Sequence, residues 1–421
     1  MTRFIRPDEY GRFAWGNGVV TLTFGAYSNS PVRLLGLSGR GMRKSGPTQR
    51  RARPIVELLD PSSGTNDNRL PLTETVAGRC LRFVSARVYE PEAAGDGAPG
   101  AGGAVLDGAG TARPRRLHRL EIVQFASSDD LRPTGRTDDE TPEPLTAAET
   151  PDRPVPARGP GITVTTVFEA FPGLSAVRTY TRVESDRPHV IEAVSSLSLT
   201  LPMDANDGDA GHTRLMWADS AWAVENDWHA VPLRDTALRD RNFDINPGMS
   251  SSRVAQQSPS TWSTGRHQPD GVLEVSSAST GVPAFSVMWQ IEHNGPWEWE
   301  IGEDGPELHV VCFGPENEDH QWFTDLHDGP FISVPVSFSI AAGDWQRAGA
   351  EMTLQRRALR RAKAAELGRT TQLERTRSLI VYNDYMNTLF GDPRLETELP
   401  LIEGAAKAGA DIFCIDAGWY D

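Results

Sequence analysis

Hydrophobic and polar positions alternate, or cluster in short runs, over the first two-thirds of the chain. Such runs occupy residues 13–24, 55–59, 80–89, 119–125 and 162–168. Others follow at 176–183, 190–201, 271–275, 284–292, 307–313 and 331–340. The clearest is ITVTTVFEA at 162–170, rich in β-branched residues and flanked by the turn formers Gly161 and Pro172-Gly173. A period of two sends successive side chains to opposite faces, as in a strand with one face in a core. More than ten such runs without a convincing helix between them predict a large antiparallel two-sheet sandwich.

Two stretches interrupt this pattern, the Ala/Gly/Pro-rich 91–115 and the acidic, Pro/Thr-rich 127–160. Neither can bury enough apolar surface to offset the entropy of ordering it, so both are expected to be mobile insertions between strands. GAGGAV at 100–105 echoes a dinucleotide loop, but no strand run precedes it and no helix follows.

The period changes at the end of the sandwich. Gly343-Asp344 opens a helix over 345–367 that Gly368 ends, with Met352, Leu354 and Leu359 as a modest apolar face. Arg356, Arg357, Arg360, Arg361 and Lys363 crowd its second half, where cations suit the negative end of the helix dipole. Residues 378–382 then read as a buried strand, and Asp392-Pro393 as a helix start. Leu395, Leu399, Ile402, Ala405 and Ala406 follow at helical spacing up to a stop at Gly409. Residues 412–415 make a second apolar strand, expected to be buried on both faces. Strand, helix and strand within about forty-five residues form one unit of a parallel sheet. The predicted divisions are a sandwich at 1–343, a helical linker at 344–377 and a β/α segment at 378–421. Asn383, Asp384 and Tyr385 follow the first strand, and Asp416 and Trp419 the second. In a β/α barrel that end of the strands is the rim where ligands are held.

Composition narrows the function. A chain of 421 residues with a net charge of −15 has room for two or three cores and lacks the basic balance that nucleic acid or an anionic membrane requires. Its 11 Trp outnumber its 7 Tyr, which suits a neutral ligand that stacks on rings. The start MTRFIRPDEYGRFAW has no apolar leader, and nothing later approaches a membrane span. Cys80, Cys312 and Cys414 are odd in number and read as buried thiols in a reducing compartment, so a cytoplasmic location is expected. The nine histidines form no metal-ligand spacing and no nucleophile elbow is present, so neither a metal nor a cofactor is expected.

IDAGWYD at 415–421, preceded by VYNDYMNT at 381–388 and GDP at 391–393, resembles the opening of the catalytic barrel in glycoside hydrolase family 36, the α-galactosidases. SAWAVENDW at 220–228, WQIEHNGPWEWEIGE at 289–303 and DHQW at 319–322 are similar to blocks of that family's amino-terminal β-supersandwich, in the expected order. The resemblance implies a supersandwich, a helical linker and the first β/α unit of a truncated TIM barrel. It also implies a terminal α-galactoside, as an oligosaccharide or glycoside, as the bound partner, and a homo-oligomer by analogy.

Family members usually carry Asp-Asp-Gly-Trp after the second barrel strand, both acids binding galactose hydroxyls. Here Asp416 stands for the first acid and Ala417 replaces the second. Losing one charge-assisted clamp opens the site to an N-acetylated or otherwise altered galactoside. Asn383 and Asp384 match polar ligand-facing groups, and Tyr385 stands where a Trp is common. Trp419 is a further contact candidate, and Trp297 and Trp299 are candidates to roof the sugar from the sandwich. The implied chemistry is retaining hydrolysis by two carboxylates about 5–5.5 Å apart. The Lys-Trp-Asp type motif that carries the nucleophile does not occur, so no catalytic residue is assigned and the chain as given is expected to be inactive. Two alternatives stay open: a galactosyltransferase of the raffinose-synthase type, and a non-catalytic carbohydrate-binding sandwich.

Overall fold

The computed structural model describes residues 2–44, 52–61, 75–90, 104–106, 112–114, 117–131, 143, 145, 160–238, 253–259, 261–304 and 307–420. They divide into two compact units, Met1–Arg356 and Arg357–Asp421.

The first unit is built from antiparallel sheets. An eleven-stranded sheet begins Thr2–Ile5, Arg82–Tyr89, His118–Ser127, Gly161–Ala170 and Ala176–Ser185. It continues through Val336–Ala342, Pro283–Ile291, Asp270–Ser277, Gly208–Ala221 and Val224–Pro232, with Phe331–Ile332 also paired to Ala176–Ser185. A five-stranded sheet runs Val254–Ser258, Trp297–Asp304, Glu307–Phe313, Ala193–Thr200, Leu58–Leu59. The sequence pattern predicts two sheets. The structure adds a third, of the three strands Arg12–Gly16, Thr21–Gly25 and Arg33–Ser38. One hydrophobic core joins them, with Leu22 and Phe24 from the three-stranded sheet, Leu199 and Ile301 from the five-stranded one, and Val164 and Val287 from the largest.

Burial follows pattern where one face is wet. Along His118–Ser127 the buried residues are Leu120, Ile122, Gln124 and Ala126, every second position. Ala193–Thr200 is buried throughout, so its serines find internal partners: Ser196 Oγ donates to Ser333 Oγ at 2.7 Å and Ser198 Oγ to the Pro54 carbonyl at 2.6 Å.

Several boundaries differ from the sequence reading. Residues 76–80 form a short helix capped by Thr75, whose hydroxyl accepts the Gly78 amide, so the strand starts only at Arg82. The interruption at 91–115 contains a small antiparallel pair, Ala104–Leu106 with Ala112–Pro114; the rest of it, and most of 127–160, lies outside the described residues. Cys312 is buried, whereas Cys80 and Cys414 are only partly so, and all three are free thiols.

The long helix spans Trp345–Glu366, close to its predicted limits, and Gly368 follows at φ +65°. Its buried face is Ala348, Glu351, Met352 and Gln355, not the expected Leu354, which is exposed. Glu351 explains the difference. Its carboxylate pairs with Arg40 and accepts the Ser175 amide at 2.7 Å, so the helix docks through a charge as well as through Ala348 and Met352. Among the described residues no helix is long and apolar enough to cross a membrane.

In the second unit Val381–Asn383 and Ile412–Cys414 pair in parallel, the parallel ladder among the described strands, with the helix Leu395–Ala408 between them. Gly409 ends that helix at φ +89°, as expected of a left-handed C-terminal stop. Arg394, not Asp392, is the cap residue; Asp392 instead pairs with the Arg394 guanidinium at 2.9 Å. The strands were expected to be buried, but Val381, Ile412 and Ile415 are exposed, as are Leu395, Leu399 and Ile402 of the helix. The helix turns Glu398 and Ala405 inward instead. One β-α-β unit has a single helix for two sheet faces, so apolar surface stays uncovered.

Candidate functional site

The parallel register brings Asn383 opposite Cys414, so the residues after each strand meet at the same, carboxyl-terminal end. Asp416 and Asn383 are both exposed there, and the Asn383 side-chain amide donates to Asp416 Oδ2 at 2.8 Å. The other end of that amide is fixed too, since Asn383 Oδ1 accepts the Tyr385 backbone N–H at 2.9 Å. Trp419 donates its indole N–H to the Asp416 carbonyl at 3.1 Å and packs edge-on against Tyr420, ring centres 5.3 Å apart. Its ring is exposed.

Asp384 sits differently from the expectation. It is only 2% exposed, and its Oδ1 accepts the Asp416 backbone N–H at 3.0 Å. The Asp384 carbonyl accepts the Leu389 amide at 2.9 Å and the Thr388 hydroxyl, starting the turn of π-helix Tyr385–Leu389. Glu398 of the following helix is also buried, and burial together with the hydrogen bond and charge of Asp384 raises its pKa. Asp384 thus supports the loop that carries Asp416 and does not face solvent itself. Tyr385 is half-buried, its ring 6.4 Å from that of Phe390.

The two loops touch through backbone. Gly418 has φ +85°, and a Cβ added there would lie 1.9 Å from the Gly391 carbonyl oxygen. Only glycine tolerates both the angle and the approach.

Trp297 and Trp299, considered as a roof for a sugar, are fully buried. Trp299 packs edge-on against Trp289, ring centres 5.3 Å apart, and the Trp297 indole N–H donates to the Ser263 carbonyl at 2.7 Å. Alternation along Trp297–Asp304 points these rings into the core, so neither offers a face to a ligand.

Sequence reasoning missed two features of the first unit. A cavity of about 460 Å³ lies on the face of the large sheet opposite the core, lined in part by Arg87, Arg119, Glu121, Tyr180 and Arg182. Its cations are largely paired, Arg119 with Glu121 at 2.7 Å and Arg182 with Glu184 at 2.7 Å. The second is a group of carboxylates, Glu298, Glu316 and Asp319, whose oxygens lie within 4.8 Å of one another. The Trp/Glu alternation in WEWE was its one sequence signal.

No family model matches the sequence, and no curated protein matches it. Solved structures do. The α-galactosidase from Lactobacillus brevis superposes with a TM-score of 0.59 at 13% identity, over 99% of this chain and 50% of that one. The family 36 α-galactosidase AgaB from Geobacillus stearothermophilus gives a TM-score of 0.58 at 14% identity, over 99% and 50%. A variant of AgaA from the same organism, solved in complex with raffinose, gives 0.56 at 14% identity, over 97% and 50%. The chain therefore spans about half the length of the structures it matches, and it has the fold of the amino-terminal half of glycoside hydrolase family 36 α-galactosidases.

Proposed function

We propose that this chain supplies the sandwich and the opening of the catalytic barrel of an α-galactosidase-type retaining glycoside hydrolase. The observation that carries the reading is Asp416, an exposed carboxylate at the carboxyl end of a parallel strand, held in place by Asn383 at 2.8 Å. A carboxylate fixed in this way accepts hydrogen bonds from two sugar hydroxyls at once, each charge-assisted. Asn383 serves as a second polar contact, and the exposed Trp419 ring beside Asp416 offers an apolar face to a pyranose. Because Ala417 stands where a second acid would narrow the choice, the pocket admits galactose or its N-acetylated form. No residue of this chain is assigned to attack or to protonate the glycosidic bond.

Titration of methyl α-galactoside into the 421-residue chain, followed by ligand-observed NMR, tests this reading. Saturable binding that falls at least about tenfold in Asp416→Asn is expected, since a hydrogen bond to a charged group is worth about 1.5–3 kcal/mol. Binding that Asp416→Asn leaves unchanged, or none in a chain whose circular dichroism shows it folded, overturns the proposal. In a protein that joins this chain to a complete barrel, aryl α-galactoside turnover with retention tests the chemistry, and the share of galactose passed to an added sucrose acceptor instead of to water separates a transferase from a hydrolase.

A further inference from the structure

Along Trp297–Asp304 the side chains of Trp297, Trp299 and Ile301 enter the core, and those of Glu298 and Glu300 take the opposite face. That face is closed as well, for Glu298 is 2% exposed and Glu300 fully buried. A row of buried carboxylates requires partners. Arg253 pairs with Glu300 at 2.7 Å and also reaches the exposed Glu318 at 3.3 Å. Glu316 caps the short helix Asn317–His320, accepting the Glu318 and Asp319 amides at 2.5 and 2.9 Å. His320 holds Glu316 from the side, Nδ1 at 2.7 Å from Oε1, while its Nε2 lies 2.7 Å from the Ser258 carbonyl. Burial alone would lower the His320 pKa, but these contacts outweigh it and raise it.

Glu298 is left over. Among the described residues no hydrogen-bond donor reaches its carboxylate and no cationic side chain lies within ion-pair distance. Yet it points at Glu316 and Asp319, one oxygen of each of the three lying within 4.8 Å of the others. Burial, and then the charges of Glu300, Glu316 and Asp319, push its carboxyl well above the usual range.

We propose that Glu298, Glu316 and Asp319 bind one divalent, oxygen-seeking cation of the calcium type. The proposal departs from the expectation of no metal and is independent of the sugar site. Calcium holds its oxygen ligands at about 2.4 Å, so three carboxylates gathered this closely can share one ion. Three carboxylate oxygens suit calcium, which takes many protein oxygens, better than magnesium, which keeps several of its waters, and an all-oxygen set disfavours zinc and copper. Five carboxylates gather here against one guanidinium, Arg253, and one imidazole, His320, which leaves negative charge for an ion to neutralise. The bound ion ties the loop carrying Glu316 and Asp319 to the five-stranded sheet.

The test uses the 421-residue chain after chelation. Terbium is added as a calcium probe, and its emission is followed under tryptophan excitation, since Trp297 and Trp299 neighbour Glu298 along the strand. One terbium per chain, displaced by calcium at concentrations at least tenfold below those needed with magnesium, is expected. Calcium should also raise the Tm of the wild-type chain. Glu298→Gln should weaken terbium binding at least tenfold and abolish the Tm response. Asp319→Asn, at an exposed position, should do so as well. Terbium emission equal in wild type and both variants, or a calcium-insensitive Tm in the chelated wild type, overturns the proposal.

Discussion

Asn383 and Asp416 are thirty-three residues apart in sequence and 2.8 Å apart in space, their side chains joined across the ends of two parallel strands. This contact determines where the Asp416 carboxylate points. Asn383→Ala removes the donor and lets the acid rotate, so galactoside affinity should fall about fivefold, the equivalent of about 1 kcal/mol for an exposed hydrogen bond. Asn383→Asp should be worse, because it places a second negative charge against the first. Parallel titrations of methyl α-galactoside check the order wild type, alanine, aspartate; an aspartate variant that binds as well as wild type would refute it.

Trp299 separates core from site. Its ring is fully enclosed and its indole N–H has no hydrogen-bond partner among the described residues. Trp299→Phe should therefore cost no more than about 1.5 kcal/mol of stability, because the lost volume is partly offset by removal of an unsatisfied donor. Trp299→Ala should cost about 3–5 kcal/mol. Neither should change sugar affinity in chains that remain folded, as denaturant melts and NMR titration together will show.

Asp270 gives a pH signature. It starts the strand Asp270–Ser277, is 5% exposed, and its Oδ1 lacks a partner among the described residues. Burial raises its pKa to about 6, against a smaller opposing pull from Arg356. The unfolded value is about 3.9, so between those limits the native chain holds the extra proton and stability falls as pH rises. Asp270→Asn should flatten that fall and stabilise the chain above pH 6 by on the order of 3 kcal/mol. Urea melts of both proteins from pH 4 to 7 provide the comparison, and parallel curves would contradict the assignment.

Leu395 and Leu399 lie one turn apart on the helix of the second unit and are 70% and 52% exposed. Exposed leucines on one helix face promote self-association in water. Leu395→Glu with Leu399→Glu should reduce association in sedimentation runs while changing the thermal midpoint little.

The pattern of the chain made much of the sandwich legible, because strands with one dry face announce themselves by alternation. Gly161–Ala170 and Glu307–Phe313 fall within two residues of the runs read from sequence. Val224–Pro232 was missed for a physical reason: it forms a sheet edge with little buried on either side, so ENDWH reads as loop. Trp297–Asp304 was missed for the opposite reason. Both of its faces are buried, and Glu298 and Glu300 fill positions where a one-sided pattern would expect exposure. In the second unit, the sequence placed Asn383 and Asp416 at one end of a parallel pair. It could not show that Asp384, one residue on, turns inward to hold the Asp416 amide. Side-chain direction after a strand depends on the π-helical turn that follows, and composition carries little trace of that.

Gly391 and Gly418 set the gauge of the mouth between them. Since main chain abuts main chain there, the spacing from one strand end to the other is independent of whichever side chains line it. In the sugar site proposed above, exchanging Asn383, Ala417 or Trp419 would therefore alter the lining without changing the width of the aperture. A methyl group at position 418, by contrast, would pry the two loops apart whatever side chains line them.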